Sequence, residues 1–260
     1  MSSLIDLPAE LLEQILSPLL IQDFSRLNRT CRVLHAFLSP RVYYTIDWFW
    51  EDDQPCPPLD LLLRTLVNNA WLASHIRVLK LRGNAIANDG RWEHSFSRDD
   101  CLASCAVERT RSIWAKGQRP KPSFLPTDMR TIKNLISAID SFHAHQWNVE
   151  FDRGNIDVIV ALVLMQSQCI EQLDLGIGFI QHAKFTPKVF RHQITTLKMA
   201  RPYKNLHTVS LGLDGPSTPR GVWSNLDLFR IFFFLPSVVS VNTILTEPVV
   251  FAWPLPTATP

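Results

Sequence analysis

The amino-acid sequence predicts a mixed fold, in which short N-terminal helices precede an α/β region with parallel strands. Three observations lead to this prediction. Apolar residues recur at helical spacing near the N-terminus, short β-rich segments recur later, and most of those segments follow a helical pattern. Alternation of helices and strands favours a parallel sheet. A hydrophobic content of 46% and a charged content of 19% are typical of a folded protein.

The first predicted helix begins at Pro8, whose missing N–H is tolerated in a first turn. Glu10 places a negative charge near the positive end of the helix dipole. One apolar face follows, made by Leu11, Leu12, Ile15, Leu16 and Leu19. Pro18 is expected to bend or end this helix near Ser17, because proline lacks a backbone donor.

A second apolar series has helical spacing and contains Phe24, Leu27, Cys31, Leu34 and Leu38. Asp23 is the predicted N-cap of this series, and Pro40 is predicted to end it. These roughly forty residues therefore form two or three short helices. Their apolar surface exceeds what they can bury among themselves, which favours a partner.

The N-terminal pattern has a specific order, carried by Leu7-Pro8, Glu10-Leu11-Leu12, Ile15-Leu16, Leu19, Asp23-Phe24, Arg26-Leu27, Cys31-Arg32, Leu34 and Tyr43. This set resembles the F-box, a three-helix module that docks on the Skp-type adaptor of a cullin–RING ubiquitin ligase. The resemblance implies an F-box at residues 1–48. Pro18 and Thr30 depart from the family pattern. An ordinary helical subdomain is the alternative.

The resemblance also implies which residues contact the adaptor. The direct contacts would come from Leu7, Pro8, Leu11, Leu12, Ile15 and Leu19. The residues that pack the helices or extend the contact would be Phe24, Leu27, Cys31 and Leu34.

After this segment, residues 43–50 are rich in aromatic and β-branched residues and predict a strand. Residues 76–84 fit the leucine-rich-repeat template L-x-x-L-x-L-x-x-N, with Ile in the first place. Weaker copies occupy residues 170–175, 206–211 and 238–243, and a further strand is predicted at residues 147–151. Helical patterns cover residues 59–70, 129–142, 156–164, 187–199 and 226–234. The intervals between copies exceed the usual repeat of roughly 20–29 residues, so irregular repeats and an ordinary α/β sheet both stay open.

The layout is similar to that of many fungal F-box proteins, in which degenerate leucine-rich repeats follow the F-box. It implies an irregular repeat solenoid over residues 49–246, with an insertion at about residues 84–126 and a Pro-rich tail at residues 247–260. The insertion carries five basic residues, Arg109, Arg111, Lys116, Arg119 and Lys121. We interpret it as a solvated loop; a basic arm for an anionic partner or for nuclear import is the alternative.

Alternate residues of a repeat strand face away from the core. The predicted substrate-binding residues are therefore Lys80, Arg82, Gln172, Asp174, Thr208, Ser210, Ser240 and Asn242. Their mixed charge indicates a protein epitope and not a polyanion.

Motifs for catalysis are not found: no Gly-rich phosphate loop, no nucleophile elbow and no zinc-binding helix motif. Cys101 and Cys105, with His94, His143 and His145, match no common zinc spacing. We therefore predict no catalytic residue, no metal and no cofactor. An unrecognised α/β enzyme is the alternative class.

Charge and cysteine content bear on partners and compartment. The net charge of +2 gives no global attraction to nucleic acid. Five irregularly spaced cysteines favour a reducing compartment. No signal peptide is visible, and the apolar runs are shorter than the roughly 20 residues of a membrane span.

We therefore expect a cytoplasmic or nuclear protein that is monomeric within a hetero-complex. Its function would be that of a substrate receptor, which binds a Skp-type adaptor, through it a cullin, and an unknown protein substrate. The alternative is an F-box scaffold without a role in ubiquitylation.

Overall fold

A computed structural model describes residues 4, 7–50, 56–83, 124–180, 183–196, 203–213 and 230–243. The first elements are α1 (Ala9–Leu16), α2 (Ile21–Leu27), α3 (Arg32–Tyr44), β1 (Thr45–Phe49), α4 (Leu59–Asn68), α5 (Ala70–Ala73) and β2 (Val78–Arg82). The later elements are α6 (Pro126–Ile139), α7 (Ala144–Asp152), α8 (Ile156–Gln166), β3 (Gln172–Leu175), α9 (Ile177–Ile180), α10 (Thr186–Thr196), β4 (Thr208–Leu211) and β5 (Ser240–Thr243).

The five strands form one parallel sheet in the order β1-β2-β3-β4-β5. Each strand thus pairs with the next one in the chain. Right-handed crossovers between sequential parallel strands place their helices on the same face of the sheet. The prediction of a mixed α/β fold with parallel strands is confirmed, and β1 to β5 lie at five of the six segments predicted as strands.

The core lies between the sheet and the central helix α8. Residues Ile156 to Leu164 of α8 are all buried, and this helix packs against α4, α7, α9 and α10. The sheet contributes alternate apolar side chains, among them Leu79, Leu81, Leu173, Leu175, Val209 and Leu211. The opposite positions of β2 and β3 are only half-buried. Among the described residues, this face of the sheet is therefore the more exposed one, and we call it the open face.

A buried carboxylate fixes the start of α10 against α8. Asp157 accepts hydrogen bonds from the backbone N–H groups of Lys184 at 2.5 Å, Phe185 at 2.6 Å and Thr186 at 3.0 Å, and from the Thr186 hydroxyl at 2.7 Å. Burial raises the pKa of Asp157, and these hydrogen bonds oppose the rise. Unsatisfied N–H groups at a helix start need such an acceptor.

Gly83 allows the end of β2 to approach the residue after β1. Its φ is +127°, and a Cβ at this position would lie 2.0 Å from the backbone oxygen of Trp50. Only glycine adopts this backbone region readily. Trp50, itself buried, then packs on Phe179, with ring centroids 5.8 Å apart.

The N-terminal helices differ from the prediction at two positions. α1 ends at Leu16 before Pro18, as predicted. Asp23, however, lies within α2, whose N-cap is Leu20. Pro40 lies inside α3 and does not end it. A proline in a helix interior costs about 3 kcal/mol, and packing of Leu34 and Leu38 on the same helix offsets this cost.

The strand predicted at residues 147–151 is wrong, because these residues belong to α7. In residues 147–151, apolar and polar side chains alternate, which is the pattern of a strand. Trp147 and Phe151 are also four residues apart, which is about one helical turn, and both are buried in the helix. The helical pattern predicted over residues 129–142 is also too long, since α6 ends at Ile139. Phe142 follows α6 and is 90% exposed.

Two of the predicted domain limits fall at elements that the structure describes. The limit between residues 48 and 49 falls inside β1, which pairs with β2. Pro126, in the predicted insertion, begins α6. The five basic residues of the insertion and the predicted tail lie outside the described residues. Among the described helices, none has both the length and the apolar character needed to cross a bilayer.

Candidate interaction surfaces

The N-terminal unit, residues 7–44, has a small core of its own. Leu16, Leu34 and Leu38 are buried together. Leu19, Phe24, Leu27 and Phe37 pack against them. Leu12, predicted to contact the adaptor, is also buried, at 4% exposure. Leu12 and Leu34 are therefore not available to a partner in this conformation.

Other predicted adaptor contacts face outward. Leu11 is 44% exposed and Ile15 is 48% exposed, one helical turn apart on α1. Pro8 and Cys31 are exposed, and Leu7 is half-buried. α1 therefore places Leu12 and Leu16 inward and leaves large apolar side chains in solvent.

Sequence reasoning missed two further exposed apolar residues. Leu20 is 69% exposed and Ile21 is 51% exposed, where the chain leaves α1 and enters α2. Three consecutive apolar residues, at positions 19 to 21, could have signalled this, because a short helix start cannot bury all of them. We call Leu11, Ile15, Leu20 and Ile21 the exposed apolar set.

An ion pair and a neutral hydrogen bond connect the N-terminal helices. The Arg41 guanidinium on α3 donates to the Glu13 carboxylate on α1. The same guanidinium lies 5.5 Å from the centroid of the Phe37 ring. The Ser39 hydroxyl, buried beside Pro40, donates to the side-chain oxygen of Asn28 at 3.2 Å. These contacts connect α1, and the C-cap residue of α2, to α3.

The second candidate surface is the open face of the sheet. The strand register aligns the predicted substrate-binding residues in rows across the strands. One row contains Asp47, Lys80, Asp174, Ser210 and Asn242, and the next contains Thr45, Val78, Gln172, Thr208 and Ser240. Most of these side chains are half-buried or exposed, so the structure brings seven of the eight predicted residues into two adjacent rows.

Two members of the predicted face are less available than expected. Ser210 is only 8% exposed, because its short side chain lies between Asp174 and Asn242 in the register. Arg82 lies beyond the two rows, opposite Phe49 in the register. One terminal nitrogen of its guanidinium donates to both carboxylate oxygens of Asp47, at 2.8 and 2.9 Å. Sequence reasoning missed Asp47, although its alternation with Ile46 and Trp48 placed it on this face.

The charges on this face balance. Lys80 lies between Asp47 and Asp174 in the register, and Asp47 pairs with Arg82. At the entry to the strands, Arg77 pairs with Glu171 at 3.3 Å. The half near β4 and β5 is uncharged, with hydroxyl and amide groups. This face therefore offers alternating charges and neutral hydrogen-bonding groups, and no polyanion site.

Two further polar side chains of the described residues make hydrogen bonds that support the fold. His143 binds the Asp140 carboxylate through Nδ1 at 3.0 Å. The Tyr203 hydroxyl donates to the Leu164 carbonyl at 2.8 Å, and burial raises its pKa. No cluster of three or more His, Cys, Asp or Glu side chains suited to a metal occurs in these ranges. Cys101, Cys105 and His94 lie outside them.

Comparison with known proteins found no family model, no curated protein and no solved structure that matches this chain.

Proposed function

We propose that the N-terminal unit is an F-box and that the chain is a non-catalytic substrate receptor of a Skp/cullin/F-box ubiquitin ligase. The observation that carries the proposal is the exposure of Leu11 and Ile15 on α1, a helix whose inward face is already supplied by Leu12 and Leu16. Exposed apolar side chains of this size, close together in the chain, are typical of a protein-binding surface.

The physical driving force would be burial of the exposed apolar set. Removal of apolar surface from water contributes roughly 25 cal/mol per Å², from which the costs of association are subtracted. An aspartate at the centre of such a contact would bury a charge without a partner, which costs more than the lost apolar contact. Leu11 and Ile15 are suitable positions for this test because the fold of the unit does not bury them.

The rest of the chain would form an irregular leucine-rich-repeat-like solenoid that holds the substrate. Its support is the chain-order pairing of five parallel strands and the polar rows on their open face. The balanced charges of Lys80, Asp174, Asp47 and Arg82 favour a protein epitope with complementary mixed charges.

The first prediction concerns adaptor binding. The purified protein should bind a Skp-type adaptor in isothermal titration calorimetry. The double variant Leu11→Asp, Ile15→Asp should lose affinity by about a thousandfold, since centrally buried contacts cost about 2 kcal/mol or more each. Circular dichroism of the variant should match the wild type, because both side chains face solvent.

The matched control is the double variant Gln14→Asp, Gln22→Asp, which adds the same charge at exposed polar positions of α1 and α2. It should bind the adaptor like the wild type. Absence of wild-type binding, or equal loss in both double variants, would contradict the F-box proposal. If only Leu11→Asp, Ile15→Asp loses adaptor binding, cullin co-purification together with substrate turnover would separate a ligase receptor from an F-box scaffold.

A further inference from the structure

A cleft of about 410 Å³ lies where the N-terminal unit meets the turn that leads into β2. Its lining residues are Phe24, Pro40, Arg41, Tyr44, His75 and Arg77. The described lining contains two guanidinium groups, an imidazole and a phenol, and no carboxylate. We call it the arginine cleft.

The two arginines of the arginine cleft are held in place but retain free donors. Arg77 donates through one terminal nitrogen to the carbonyls of Ser74 at 2.6 Å and Cys169 at 3.3 Å, and its Nε faces Glu171. Its other terminal nitrogen has no hydrogen bond within the described residues. Arg41 uses one terminal nitrogen for Glu13, which leaves two nitrogens without a described hydrogen-bond partner. The Arg77 guanidinium, which two backbone carbonyls hold in place, can bind an oxyanion without first losing side-chain freedom.

The acidic partners of these arginines are weakly held. The Glu13 side chain is 62% exposed and the Glu171 side chain is 42% exposed, whereas the Arg41 and Arg77 side chains are only 29% and 26% exposed. Exposed ion pairs contribute little to stability, because water competes for both charges. Neither carboxylate belongs to a residue that lines the cleft.

The charge of the lining selects the class of ligand. A single carboxylate would only replace what Glu13 or Glu171 already supplies to one arginine. A phosphate group carries close to two negative charges and three acceptor oxygens, which matches a cleft that two guanidinium groups line. The phenol of Tyr44, whose residue is 49% exposed, adds a further donor. The volume lies within the range of small-molecule sites.

We propose that the arginine cleft binds a phosphate group, clamped between Arg41 of the N-terminal unit and Arg77 of the sheet region. This inference does not depend on the adaptor proposal, since none of the exposed apolar set lines the cleft. A bound phosphate would link the N-terminal unit to the sheet region.

Calorimetric titration of the full chain with inorganic phosphate, O-phosphoserine and AMP, at constant ionic strength, tests the proposal. We expect binding of at least one probe and no binding of acetate. Arg41→Gln and Arg77→Gln should each weaken that binding about tenfold or more. Equal affinity for all three probes would show recognition of the phosphate alone, and preference for one ester would identify the rest of the ligand.

Two controls separate the cleft from general charge. Arg29→Gln removes the same charge from an exposed position outside the cleft and should leave affinity within about twofold of the wild type. Glu171→Gln should strengthen binding, whereas Glu10→Gln, with the same change in net charge, should not. The Glu171→Gln variant keeps the hydrogen bonds of Arg77 to the carbonyls of Ser74 and Cys169, so the gain in affinity tests the cleft without removing them. No binding by the folded wild type, or binding unchanged in Arg41→Gln and Arg77→Gln, would overturn the proposal.

Discussion

At the scale of single residues, Asp157 shows how one carboxylate joins two helices. It lies in the first turn of α8 and accepts hydrogen bonds from residues 184 to 186 at the start of α10. Its carboxylate is buried, so its solvation by water is replaced by protein donors. The exchange is favourable only while all the donors remain aligned.

Replacement of Asp157 by Ala should lower the free energy of unfolding by about 1–3 kcal/mol, the usual cost of leaving buried polar groups unsatisfied. Asp157→Asn keeps one acceptor oxygen and should lose less. Urea denaturation followed by circular dichroism measures both changes. If Asp157→Ala unfolds at the same urea concentration as the wild type, water replaces the carboxylate as the hydrogen-bond acceptor, and the prediction is wrong.

At the scale of elements, Asp140 connects the turn between α6 and α7 to α10. Its carboxylate accepts from the Lys188 ammonium at 3.0 Å and from the backbone and Nδ1 of His143 at 3.1 and 3.0 Å. Burial acts to raise the pKa of Asp140, but the hydrogen bonds from Lys188 and His143 outweigh it and lower the pKa from 3.8 to about 2. The charged form is therefore favoured by folding.

The lowered pKa predicts a pH dependence of stability. A carboxylate with a depressed folded-state pKa stabilises the fold above its unfolded pKa and loses that effect as the pH falls through the folded value. Asp140→Asn should therefore cost about 2 kcal/mol near neutral pH, and the difference from the wild type should shrink from about pH 5 toward pH 2. Urea denaturation at several pH values measures it. If the difference in the free energy of unfolding does not change with pH, the substitution acts through altered packing and hydrogen-bond geometry and not through the charge of Asp140.

At the scale of the whole molecule, the two candidate surfaces lie on different parts of the chain. The exposed apolar set belongs to α1 and α2, whereas the polar rows belong to the open face of β1 to β5. A receptor needs two such surfaces, because it must hold an adaptor and a substrate together. Changes on one surface should then leave the other intact.

Charge reversal of the polar rows, by Lys80→Glu or Asp174→Lys, should change substrate recovery in affinity purification and leave adaptor recovery unchanged. Like charges placed beside Asp47 or Lys80 in the register would repel and alter the face. Lys133→Glu, on the exposed side of α6, is the matched control and should change neither. Simultaneous loss of adaptor and substrate would contradict two separate surfaces.

Local patterns were sufficient for much of the fold. The end of α1 before Pro18 and the positions of the five main strands follow from proline chemistry and short apolar alternations. The pattern at Trp147 and Phe151 was not sufficient, because a five-residue segment fits both the helical and the strand period. Pro40 was also misjudged, because the packing of α3 outweighs a local penalty.

The sequence by itself determined the order of helices and strands, the alternation that places Lys80 and Asp174 opposite the core, and the F-box-like order of residues 7–43. Only the tertiary structure decided which apolar residues of α1 are buried, that Asp47 neutralises Arg82, and that Arg41 and Arg77 line one cleft. The physical reason is how far apart along the chain the interacting residues lie. Backbone propensity and periodicity act between residues near in the chain, whereas burial and ion pairing depend on residues that only the folded chain brings together.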